Sequence, residues 1–287
     1  MLKQRVITAL VLAPLALIGI LFLPLRGFEI CIGLIVALGA WEWANLMGLK
    51  TRPGKAVYTS LVSLICLVLA YLVPVKQIWV QGQLTDLYLT ILAIAALWWL
   101  VVLLMILAYP KYTAMWRNSR LLRGLFGILT LVPTWVAIVT LRTQLYDVDT
   151  LYGASLIFYV LGIVWAADIG AFFIGVKFGR HKLRPNVSPG KTLEGLLGGI
   201  AASFAIIGFA ALHYQVNATM IWSHLIIGGL TVAVSALGDL NESMFKRCAG
   251  CKDSGTLLPG HGGILDRIDS LTAAFPIFAL CYVLWMT

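Results

Sequence analysis

The sequence predicts an all-α, polytopic membrane protein of about nine transmembrane helices, with its N-terminus cytoplasmic and its C-terminus outside. Three observations predict it. Of 287 residues, 61% are hydrophobic and 11% charged, whereas soluble domains carry about a quarter charged residues. Apolar runs of the length that crosses a bilayer core, about 20 residues, recur along the whole chain. The basic residues also divide sharply between alternate connections.

The apolar runs fall at about 7–24, 28–47, 57–75, 87–108, 124–141, 152–176, 193–213, 219–239 and 267–286. Lys3 and Arg5 ahead of the first run resemble the start of a signal peptide. The run reaches Pro24 without a small-x-small cleavage site, so it reads as an uncleaved first span. An odd number of crossings puts the termini on opposite sides. All but Arg26, Lys76 and Arg142 of the 21 lysines and arginines then fall on the side of the N-terminus. That side is the cytoplasm by the positive-inside rule. The net charge of +9 is therefore topological, and nucleic acid is not expected as a partner, because the spans leave no polar face to present a basic patch.

No stretch is polar and long enough for a separate soluble domain, so residues 1–287 read as one membrane-embedded domain. Within it, 1–150 carries few motifs and 152–287 carries the chemistry. Cys31, Cys66 and Cys281 lie inside apolar runs, where cysteine behaves as a small hydrophobe. Gly195 and Gly199 form a small-xxx-small pair suited to close helix packing. The basic, aromatic linker from Tyr109 to Arg123 reads as an interfacial anchor on the inner leaflet.

The acids carry more information. Glu42, Asp168, Glu194, Asp239, Glu242, Asp253, Asp266 and Asp269 all fall at the cytoplasmic ends of spans or in the loops there. Asp168, nine residues before Lys177, sits on the order of 13 Å below the surface of a regular helix. An intramembrane carboxylate at that depth needs a partner. Asp239 is expected to end one span and Asp266 to begin the next, with Asp269 on the same helical face as Asp266. Mg²⁺ takes one or two carboxylates and completes its shell with water and phosphate oxygens, which suits Asp239, Asp266 and Asp269. Asp266 and Asp269 would also serve simply to cap the ninth helix and offset its dipole.

Pro259-Gly260-His261-Gly262-Gly263 makes a tight loop with bare amides ahead of a helix start, a pattern that holds phosphates. Lys246, Arg247, Lys252 and Arg267 flank it. A second basic turn, Ser188-Pro189-Gly190-Lys191-Thr192-Leu193-Glu194, also precedes a helix. It is not a Walker A loop, because Pro185 stands where the leading glycine belongs, and it reads equally as an anion site or as a positive-inside loop. Cys248 and Cys251 form a Cys-x-x-Cys without the second pair that zinc favours, and read as incidental.

The run Ser243-x-Phe245-Lys246-Arg247, Lys252-Asp253-x-Gly255 and Leu258-Pro259-x-His261-Gly262-Gly263-Ile264-x-Asp266-Arg267-Ile268-Asp269 resembles the pattern of the phosphatidate cytidylyltransferases, or CDP-diacylglycerol synthases. Asp168-x-Gly170-Ala171 with Lys191-Thr192-x-Glu194-Gly195 is similar to the family's second marked region. Ile169 and Phe172 depart from it, since relatives often carry a hydroxyl residue and a tyrosine there.

The resemblance implies that CTP and phosphatidate react to CDP-diacylglycerol and pyrophosphate with Mg²⁺. Metal ligands would be Asp239 and Asp266 with Asp269, and Asp168 and Glu194 would hold any second cation. Lys246, Arg247, Arg267 and His261 would act on the phosphates. Lys252, Gly262, Gly263, Ser188, Lys191 and Thr192 would bind CTP. The resemblance also implies a homodimer among membrane lipids. The plain architecture points to a bacterial inner membrane with the site facing the cytoplasm. A CTP-dependent polyprenol or phytol kinase and a cation-coupled transporter are the rival readings.

Overall fold

The computed structural model describes residues 2–286. The side chains of Lys3 and Arg5, and Thr287, lie outside what is described. The described chain is ten α-helices with short connections: α1 Leu2–Phe22, α2 Leu25–Leu46, α3 Arg52–Leu72, α4 Asp86–Ala108, α5 Ala114–Arg117, α6 Arg120–Thr143, α7 Tyr152–Phe178, α8 Leu193–His213, α9 Ile221–Ala249 and α10 Leu265–Met286. Two small antiparallel hairpins interrupt them, β1 Trp79–Val80 with β2 Gln83–Leu84 and β3 Lys182–Arg184 with β4 Ser188–Thr192.

Eight of these helices, α2 to α4 and α6 to α10, are long and apolar enough to cross a membrane, and Leu10–Phe22 of α1 is a shorter apolar stretch. Contacts at both ends show that α1 runs the same course as the others. Near its start, Thr8 Oγ1 donates to the Pro259 carbonyl at 3.1 Å. At its far end the Ile20 carbonyl accepts from Arg142 Nε at 3.0 Å. Leu15, Leu34, Leu67, Leu97 and Leu104 are exposed on the outer faces, as a bilayer requires of its lipid-facing residues.

The connections sort as the charge pattern predicts. At one end, Arg123 Nη1 donates to the Leu46 carbonyl at 2.9 Å, Asn45 Nδ2 to the Ser254 carbonyl at 2.8 Å, and Arg247 Nε to the Val187 carbonyl at 3.3 Å. The connections after α2, α5, α7 and α9 therefore meet at one face. At the opposite face Arg26 pairs with Glu29 at 2.7 Å, and the buried Arg142 donates to the Thr150 carbonyl at 3.0 Å.

One core runs through the helices, with α6 central and most buried. Thr134 Oγ1 reaches the Thr272 carbonyl in α10 at 3.1 Å, and Tyr58 of α3 donates to the Gly124 carbonyl of α6 at 2.9 Å. The 109–123 linker is more than an interfacial anchor. Trp116 in α5 is buried and packs on Phe245 of α9, with ring centroids 5.1 Å apart.

Candidate active site

Local sequence explains how α9 presents its chemistry. The helix is 29 residues long, roughly 43 Å at 1.5 Å per residue and so longer than the ~30 Å hydrocarbon core. Asp239 ends the apolar run but not the helix. Nothing in Asn241 to Ala249 breaks a helix, so α9 runs on ten residues past Asp239 to Ala249 and ends at Gly250, whose φ of 71° makes the left-handed cap. The helical register then sets the pairs. Glu242 and Lys246 are one turn apart and meet at 2.7 Å, and Ser243 Oγ donates to Asp239 Oδ1 at 3.3 Å.

A cavity of about 730 Å³ opens between α7, α8, α9 and α10. Its inner wall carries Asp168, Asp239, Asp266, Asp269, Lys191 and Arg267, while Trp165, Phe172, Val176, Leu196 and Ile200 form an apolar wall. Phe172 and Val176 also face outward, at 64% and 75% exposed, so the apolar wall continues onto the lipid-facing surface. The space is amphiphilic, with charge at one end and hydrocarbon at the other.

Part of the charge in the wall is already paired. Lys191 Nζ lies 2.6 Å from Asp239 Oδ2, and Asp168 lines the same cavity. Lys191, delivered by strand β4, thus brings a cation into the wall that the intramembrane Asp168 shares. Asp269 Oδ1 accepts from the Ser270 amide at 2.8 Å. Lys246 bridges Glu242 and Asp266, both at 2.7 Å, and so ties α9 to the start of α10.

Asp266 holds its own loop. Its carboxylate accepts from Lys246 Nζ, from the Ser254 amide at 3.0 Å, from Ser254 Oγ at 3.0 Å and from the Gly263 amide at 2.8 Å. The glycine loop departs from the phosphate-cradle expectation for the same reason. The amide of Gly263 points at Asp266, and those of Ile264 and Leu265 point at Glu42, at 3.1 and 2.8 Å. Gly262, with φ of 83°, makes the turn that aims them inward. Neither Gly262 nor Gly263 lines the cavity.

The remaining candidates are dispersed. Thr192 lines the cavity and caps α8, accepting from the Gly195 amide at 3.1 Å. Ser188 pairs with Arg184 in the β3–β4 hairpin, a strand pair not foreseen in this basic turn. Glu194 does not line the cavity with Asp168 and holds the turn after α7, accepting from the Arg180 amide at 3.1 Å and pairing with His181 Nδ1 at 2.6 Å. Arg247 is spent on the hairpin, through the Val187 carbonyl.

His261 offers its carbonyl to Arg267 Nε at 3.1 Å. Its Nδ1 is buried with no hydrogen-bond partner among the described residues. Lys252 belongs to a separate cavity of about 510 Å³, with Trp41, Glu42, Asn45 and Lys55. Burial pushes the Cys251 thiol up, away from the thiolate that metal binding needs.

Two contributors escaped the sequence reading of the site, Asn45 at the end of α2 and Ser254, and a third, Glu42, counts there as one of the cytoplasmic acids without a role. Glu42 is 2% exposed. The available signal was an acid inside an apolar span, which is costly unless it has a task. Its partners lie more than 200 residues away, so no local pattern identifies them.

Among the described residues, no three Asp, Glu, His or Cys are grouped to hold a metal by themselves. The hard oxygens of Asp168, Asp239 and Asp269 still suit a divalent ion that takes one or two carboxylates and completes its shell with phosphate oxygens and water. The donor set thus fits a metal shared with a substrate, not an all-protein cage.

A polytopic helical membrane protein with an amphiphilic, charge-lined cavity at one face is the class that fold and site define. Within that class, the sequence profile of the Cytidylyltransferase family matches residues 3–285, and the chain belongs to that family. It is 41% identical over 288 residues to the phosphatidate cytidylyltransferase of Haemophilus influenzae, covering 98% of this chain and 99% of that one. It is 44% identical over 285 residues to that of Pseudomonas aeruginosa, covering 99% and 97%. The Bacillus subtilis protein of the same name is 33% identical over 278 residues, covering 96% and 95%.

Proposed function

We propose that the chain is a phosphatidate cytidylyltransferase that joins CTP and phosphatidate at the charged end of the α7–α10 cavity. The observation that carries this reading is the cavity's two-sided lining. A lipid phosphate meets Lys191 and Arg267 while its acyl chains follow the apolar wall past Phe172 and Val176 toward the bilayer. The relatives named above support neither the kinase nor the transporter reading.

In the reaction a phosphatidate oxygen forms a bond to the α-phosphorus of CTP, and the bond from that phosphorus to the bridging oxygen breaks, releasing pyrophosphate. A phosphate monoester has a second pKa near ~6, so the attacking oxygen is already largely ionised at neutral pH. It needs positioning more than a base. Lys191 exchanges Asp239 for a phosphate oxygen, and Arg267 and Lys182, both in the cavity lining, offset the charge on the triphosphate. Lys246 works one layer back, fixing Asp266 and through it the loop.

Asp239, with Asp168 and Asp269 beside it, would hold Mg²⁺, which when bound supplies charge compensation for the α-phosphate and the leaving pyrophosphate. The charge pattern supports a cytoplasmic position for this end, where soluble CTP and the lipid would meet, and the bacterial relatives support an inner membrane. The assembly is a homodimer on the family resemblance.

The test is to incubate the purified protein with CTP labelled at the α-phosphate, phosphatidate and Mg²⁺. Label in a lipid that retains cytidine supports the reading. CDP released without lipid label overturns it in favour of a kinase, and no nucleotide turnover overturns it altogether.

A further inference from the structure

We propose that Glu42 of α2 is a positioning residue for nucleotidyl transfer: a built-in anion that fills the N-terminus of α10 and thereby sets the loop carrying Asp266. Glu42 is 2% exposed. Its Oε1 accepts from the Ile264 amide at 3.1 Å, and its Oε2 accepts from the Leu265 amide at 2.8 Å and from Ser254 Oγ at 3.1 Å. Free amides at a helix start attract anions, and this helix start is met by the protein itself.

Two further features show that the carboxylate is built in. A Cβ at Gly255 or at Gly263 would collide with the Glu42 carboxylate, so both glycines serve its close approach. Asn45, one turn along α2, donates to the Ser254 carbonyl at 2.8 Å and holds the same loop from the same helix. Ser254 then links Glu42 to Asp266, since its hydroxyl lies 3.1 Å from one carboxylate and 3.0 Å from the other. A displacement of Glu42 therefore reaches the cavity wall through a single side chain.

The consequence for substrate is that the amides of Ile264 and Leu265 are not its phosphate site. Phosphates are left to the side chains of the cavity wall. Glu42 also lines the separate cavity of about 510 Å³, which gives a small carboxylate a route to its position once the side chain is removed.

The inference rests on the nucleotidyl-transfer reading, so the wild-type protein is assayed first. If it makes no cytidine-bearing lipid, that reading fails and Glu42 is not what is at fault. Glu42→Gly is then assayed with formate added over a range of concentrations. A misplaced site of this kind loses about 10²-fold in kcat, with the KM for CTP held within about threefold and activity restored roughly tenfold by formate. Asp239→Asn, which formate cannot mimic at the α10 terminus, shows no restoration.

Should Glu42→Gly not fold, Ser254→Ala decides. It keeps the Glu42 contacts to the amides but cuts the link to Asp266, and is expected to lower kcat roughly tenfold with the thermal midpoint lowered by only a few degrees. Wild-type kcat in either folded variant, or a loss in Glu42→Gly that formate does not restore, overturns the proposal.

Discussion

Replacing Lys246 by Met should destabilise the protein more than any other single charge removal at the site. Lys246 contacts Glu242 and Asp266 at 2.7 Å each, and the three side chains are only 13%, 2% and 7% exposed. Removing one partner of a buried pair costs about 3–5 kcal/mol, because the other charge stays buried without compensation. Here two carboxylates are left together, so the upper part of that range applies. At about 2 °C per kcal/mol for a chain of this size, the thermal midpoint in detergent should fall by roughly 8–10 °C.

The assay is a pair of melting curves with a double-mutant cycle. Glu242→Gln removes one of the two stranded charges, so Lys246→Met with Glu242→Gln should regain about 2 kcal/mol relative to additive behaviour. A midpoint unchanged by Lys246→Met, or strictly additive effects in the cycle, would refute the claim that this lysine holds α9 to α10 by charge.

Three other outcomes follow from the same geometry. Asp239→Asn should lower kcat/KM about 10²-fold or more while leaving the thermal midpoint near wild type, because this carboxylate is 31% exposed and faces the cavity; full activity at low Mg²⁺ would remove it from the metal assignment. Trp116→Ala, far from the substrate, should cost about 3–5 kcal/mol through its packing on Phe245, measured as a lowered midpoint with the KM for CTP unchanged. Cys248→Ser with Cys251→Ser should leave turnover within about twofold, and the wild-type protein should bind no zinc under equilibrium dialysis, since burial holds the thiol of Cys251 protonated.

Much of the fold was legible in the chain, because a bilayer imposes its own ruler and sign on a sequence. Helix length follows from core thickness, and the basic residues mark one side. The predicted crossings match helices α1 to α4 and α6 to α10 within a few residues at most ends. The exception is α9, where the apolar run ends at Asp239 but the helix does not. Hydrophobicity reports where the lipid stops, whereas helix termination depends on Gly250.

The cluster of acids was also legible as a cluster, since unpaired carboxylates are too costly to scatter through apolar spans. Which acid does what was not. Asp266 and Asp239 look alike as letters, yet one is enclosed by four donors, three from its own loop and one from Lys246 of α9, and the other faces a cavity with one lysine. The glycine loop reads as a phosphate cradle until Glu42 is placed against it from α2, a residue more than 200 positions earlier. Composition and periodicity determined that this is a helical membrane protein with a charged end. The partner of each charge was decided by tertiary structure alone, because hydrogen bonds act over about 3 Å between groups that the chain holds far apart in sequence.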